Sequence, residues 1–145
     1  MLQRKIISAS ISGSAFAVLF CVIVEAGASD AFISIISGIG SFLIFSFSIT
    51  LIYGIAASII SDAVAWLFTR KSNSTSDKLL ISGVLHSFFG LLFFYFGLFA
   101  ALLFFVTDKY LEKKHVHFKW SQAAISLLLP AGIWLLSISI APLFT

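Results

Sequence analysis

Residues 31–69 read AFISIISGIGSFLIFSFSITLIYGIAASIISDAVAWLFT, thirty-nine residues that carry a single charge, Asp62. An α-helix of that length reaches about 58 Å at a rise of ~1.5 Å per residue. The hydrocarbon core of a bilayer is only about 30 Å thick. One crossing therefore cannot hold the whole stretch, and part of it must break direction or leave the core. The pair Gly38-Ile39-Gly40 is the expected break, because glycines weaken a helix. The span is placed at about 41–61, with residues 62–70 continuing into the interface and Trp66 at headgroup level.

The rest of the chain reads the same way. Of 145 residues, 60% are hydrophobic and 10% charged, against about 45–50% and about 25% in soluble domains. So few charges cannot coat a globule of this size, and the solvent the chain is built for is lipid. The fold class expected is all-α, a polytopic membrane protein forming a four-transmembrane-helix bundle. It is one domain, residues 1–145, with helices at about 6–24, 41–61 extended to 70, 79–106 and 120–143. The net charge of +3 sits at segment ends, where basic residues orient helices and meet anionic headgroups. No nucleic-acid partner is implied.

Ala26-Gly27-Ala28 before Ser29 offers the small-residue pattern of a signal-peptide cleavage site. The apolar stretch is long for a signal sequence and Glu25 stands just upstream, so a retained first helix is the better reading. Gly13-x-x-x-Ala17 within it suits close helix approach. Cys21 is the only cysteine, which excludes an internal disulfide and a Cys-x-x-Cys redox centre. Residues 71–77 read as a loop, with Ser76 as N-cap of the next helix and Asp77 complementing its dipole. Residues 107–119 form a second polar connection, and Pro130 is expected to kink the last helix. With the N-terminus inside, Arg4, Lys5, Arg70, Lys71 and Lys78 face Lys109, Lys113, Lys114 and Lys119 across the membrane. The only charges in the first external loop are Glu25 and Asp30, so the orientation expected is N-in and C-in.

Polar groups in the hydrocarbon layer are costly and face protein or water. Asp62 lies eight residues before Arg70, and His86 eight after Lys78. In antiparallel neighbours both fall at one depth, about 12 Å from their basic ends, which predicts an intramembrane polar pair. It is read first as a structural clasp and second as a proton-responsive site. Gly83, Gly90 and Gly97 fall on one face of the third segment with His86, a groove for another helix. Glu25 is a secondary candidate, expected at the rim beside Lys119 or Lys109. His115 and His117, near Glu112 and Asp108, are metal-ligand types, but residues two apart share a face only in extended chain. They read as part of a solvated, lysine-rich loop. No catalytic constellation, metal site or cofactor site is expected.

The stretch Tyr53-Gly54-x3-Ser58-x2-Ser61-Asp62 at the inner end of the second span resembles uncharacterised small four-span membrane proteins of bacilli. Those proteins often carry a proline where this chain has Ala56. The resemblance implies the four-span layout and a recurring local feature at Asp62, and it brings no activity with it.

The function expected is that of a non-enzymatic accessory, interaction or immunity-type protein of the bacterial cytoplasmic membrane. Its partners would be the bilayer itself and a membrane protein or further copies of the chain. The alternative is a small oligomeric ion-coupled transporter using Asp62 and His86.

Overall fold

The computed structural model describes residues 1–27, 29, 31–70, 75–114 and 117–143. Every regular element among them is helical. Helix α1 spans Leu2–Glu25, α2 Ala31–Ile49 and α3 Ile55–Thr69, with a π-helical turn, Thr50–Gly54, joining the last two. Helices α4 (Thr75–Leu91), α5 (Phe94–Lys113), α6 (Trp120–Ser126) and α7 (Leu128–Ile140) follow, then a 3-10 turn, Ala141–Leu143. Four helices are long and apolar enough to cross a membrane: Leu2–Glu25, Ala31–Thr69, Phe94–Lys113 and Trp120–Ile140. Large apolar side chains such as Phe45, Ile52, Phe68 and Leu128 point outward, which suits a lipid-facing surface.

Helix α1 is the axis of the bundle, touching α2, α3, α5, α6 and α7. Small residues make that possible. Ser8, Ala9, Ser10, Ser12, Gly13, Ser14 and Ala17 are all buried, and Ser8, Ser10 and Ser12 donate their hydroxyls to carbonyls four residues back. A Cβ on Gly13 would stand 3.3 Å from the Phe47 ring, so Gly13 sits where a neighbouring helix comes close. Above it, Phe16 and Phe20 pack against Phe42 with ring centroids at 5.8 and 4.2 Å.

Two expectations are corrected here. The helix does not break at Gly38-Ile39-Gly40: α2 runs through all three residues. Gly40 instead lets Ser137 of α7 approach closely, and Gly38 faces the Cys21 sulfur. The irregularity falls later, at the π turn. Nor is the third segment one helix over 79–106. It is a hairpin of α4 and α5 that reverses at Leu92-Phe93, and Phe94 has a φ of 57°. Amide groups at the reversal stay paired, Leu92 N–H with Phe89 O and Phe93 N–H with Gly90 O, as backbone surrounded by lipid requires. A Cβ at Gly90 would lie 2.9 Å from Gly97 O and 2.7 Å from the Ala101 Cβ. The glycines spaced seven apart thus face each other across a turn rather than lining one helix.

The hairpin fixes which elements share an end of the bundle. Phe96 of α5 packs on Phe20 near the far end of α1 at 5.0 Å, and Asp108 meets Arg4 at its start. The end of α3, the start of α4, the end of α5 and the start of α6 therefore lie at the end that holds residue 1. Helices α6 and α7 then run alongside α1, Ser126 bonding Ser10 at 3.2 Å and Ser137 reaching Gly40. The interruption at Leu127 falls three residues before Pro130, which has no N–H to continue the ladder. The end of α7 stands at the opposite end of the bundle from Met1, as Ser126 on Ser10 and Ser137 on Gly40 require.

Candidate functional site: a closed ring of buried charges

Six charged side chains meet at the end of the bundle that holds residue 1, and they alternate in sign around a ring. Arg4 Nε reaches Asp108 Oδ1 at 2.8 Å. The other oxygen of Asp108 lies 3.2 Å from Lys5 Nζ, and Lys5 Nζ is 2.7 Å from Asp62 Oδ2. Asp62 Oδ1 is 2.9 Å from Lys109 Nζ, which is 2.9 Å from Glu112 Oε2. Glu112 Oε1 closes the ring on Arg4 at 3.4 Å. Three cations and three anions sum to zero, so a group taken out of water finds its counter-charge at hydrogen-bond range.

Each element contributes by simple helical spacing. Arg4 and Lys5 are neighbours on the first turn of α1. Asp108, Lys109 and Glu112 occupy the last turns of α5, where positions three and four apart share a face. Asp62 enters from α3. Hydroxyls fill the remaining valences: Lys5 donates to Ser58, Ser82 of α4 donates to Asp62 Oδ1 at 2.9 Å, and Ser8 reaches Asp108 Oδ1 at 3.4 Å. Lys5 is wholly buried and Asp108 is 1% exposed, whereas Glu112 is open to solvent at the rim with its side chain 40% exposed. The ring runs from dry to wet across its own width.

The expected pair of Asp62 and His86 is not what forms. Asp62 has Lys5, Lys109 and Ser82 as partners, and His86, one helical turn beyond Ser82, stacks on Phe104 at 5.5 Å. His86 is 2% exposed and its Nδ1 has no hydrogen-bond partner. Glu25 ends α1 at the far end of the bundle, away from Lys109 and Lys119, so the expected rim pairing is absent. Gly83 faces the Phe105 ring, a Cβ there standing 3.1 Å from it. Of the two loop histidines, His115 lies outside the described residues. His117 lines a polar recess with Arg4 and Glu112, and no cluster of metal-ligand residues occurs among the described residues.

Sequence reasoning missed Arg4, Lys5, Asp108, Lys109 and Glu112 as site residues. It read the first two as orienting charges and the others as loop. The available signal was the Asp108–Glu112 spacing of four, a helical spacing in a stretch taken for a connection. The Tyr-Gly-x3-Ser-x2-Ser-Asp stretch is divided between two features: Ser58 and Asp62 receive Lys5, while Tyr53 and Gly54 belong to the π turn. Tyr53 Oη donates to Phe89 O at 3.0 Å. Comparison with protein-family models, with curated proteins and with solved structures finds no match.

Proposed function

We propose that this chain is a non-enzymatic protein of the bacterial cytoplasmic membrane, acting through helix contacts with a membrane partner as an accessory or immunity-type subunit. One observation carries the reading. The charged groups are spent on one another in a closed ring, and none of the six is left without an opposite charge to offer a substrate. A ring of this kind clasps α1, α3, α4 and α5 at one end. That is the chemistry of a fixed scaffold presenting an apolar surface. The end bearing Arg4, Lys5, Arg70, Lys78, Lys109, Lys113, Lys114 and Lys119 is then the cytoplasmic one under the positive-inside rule. Among the charged side chains of the described residues, this leaves Glu25 on the other side.

The competing reading is a small ion-coupled transporter. The buried His86, whose Nδ1 has no hydrogen-bond partner, favours it, whereas the saturated Asp62 does not. Reconstitution into liposomes under an imposed pH or sodium gradient separates the two. The scaffold reading expects ion flux no greater than in protein-free vesicles. A flux that vanishes in Asp62→Asn would overturn it and put the transporter first.

A further inference from the structure

The π turn, α3, α4 and α5 line a partly open cavity of about 50 Å³. Its wall is apolar, built from residues such as Ala57, Phe89, Ala101 and Phe104, with three polar side chains, Thr50, Tyr53 and His86. Tyr53 has its proton committed to Phe89 O. His86 is more than nine-tenths buried, and its Nδ1 is an unmet hydrogen-bonding atom. Leaving such a group unmet is costly, and natural proteins rarely do so without a role for it.

A second opening, about 230 Å³, adjoins this cavity. Ile49, Thr50, Gly97 and Ala100 line both. The second is walled by aromatic rings, Phe16, Phe42, Phe45, Phe93 and Phe96. Phe45 and Phe96 are 70% and 59% exposed, so this groove opens sideways on the lipid. The π turn shapes both spaces, since Thr50 lines each of them, and π turns frequently mark functional positions in helices.

The geometry points to a binding site for a lipophilic alcohol, its chain in the phenylalanine groove and its hydroxyl on His86 Nδ1. The inner cavity has several times the ~10–15 Å³ that a water-sized group needs. It offers no counter-charge within its wall, so a phosphate or carboxylate would be desolvated without compensation. A hydroxyl both donates and accepts, and therefore satisfies Nδ1 in either tautomer of a neutral imidazole.

The test uses the full chain in lipid nanodiscs. The probes are a hexadecanol carrying a diazirine in its chain and the matching diazirine alkane without the hydroxyl. After photolysis, labelled residues are identified by mass spectrometry. The expected result is labelling of groove residues such as Phe42, Phe93 and Phe96 at least five-fold stronger with the alcohol. That excess should fall to the alkane level in His86→Phe, which keeps the stack on Phe104. Excess unlabelled hexadecanol and diacylglycerol then serve as competitors on the unaltered chain, where folding of a variant is not in question. Competition by the first assigns a single-chain alcohol, and by the second a glyceride. Equal labelling by the two probes, or competition by neither, means contact with bulk lipid only and overturns the site.

Discussion

Lys5 is the residue on which the charged end turns. Its ammonium is wholly buried and touches Ser58, Asp62 and Asp108, three acceptors on two other helices. Lys5→Met keeps much of the volume but leaves two carboxylates short of a cation, a defect that costs about 3–5 kcal/mol when a buried pair loses one partner. A fall of that size is expected in detergent thermal unfolding, and an unchanged midpoint would mean the ammonium is not held as described. Asp62 and Lys5 are expected to be coupled, so Lys5→Met with Asp62→Asn should lose clearly less than the sum of the single losses. Asp62→Asn with His86→Phe should come closer to the sum, because the hydrogen bonds of Asp62 go to Lys5, Lys109 and Ser82. The sequence singled out Asp62 and His86, both of them buried in the structure, and paired them by depth. Depth alone could not reveal Lys5, whose long stem carries its charge inward from a position that reads as a helix end.

At the scale of elements, the reversal of the third segment decides the architecture. A run from Leu79 to Val106 without charge or proline looks like one helix, and nothing in hydropathy distinguishes a long crossing from two shorter helices folded together. The glycines held the information. Gly90 and Gly97 face each other where the two helices approach most closely, and a side chain on either would meet the other's backbone. Gly90→Val is therefore expected to open the hairpin and lower the unfolding temperature by several degrees. Ala on the loosely packed Gly132, which has nothing within 4 Å of its absent Cβ, should change it little or raise it. Equal effects at the two positions would contradict the close approach. Pro130 was legible in the sequence because its cause is local: the missing N–H interrupts the last helix wherever that helix sits. The π turn was not, because its neighbours Phe104, Phe89 and Gly90 come from other parts of the chain.

Over the whole molecule, composition led to the expectation of apolar helices of membrane-spanning length, and four helices long and apolar enough to cross a membrane stand in the structure. The arrangement of ends did not follow, because it depends on whether the third segment crosses or returns. With α4 and α5 as a hairpin, the end of α3 and the end of α5 lie at the same end, beside the charged ring, and the end of α1 and the start of α2 lie at the other. The most direct measurement replaces Cys21 with Ser and places single cysteines at Ser76, Lys114 and Gly27, all exposed positions. Labelling with an impermeant thiol reagent is then read in intact cells and again in opened ones. Positions 76 and 114 are expected to behave alike, protected in cells and labelled once they are opened, while position 27 is labelled in both. Positions 76 and 114 labelling from opposite sides would contradict the hairpin, and with it the ring that joins Asp108 to Lys5.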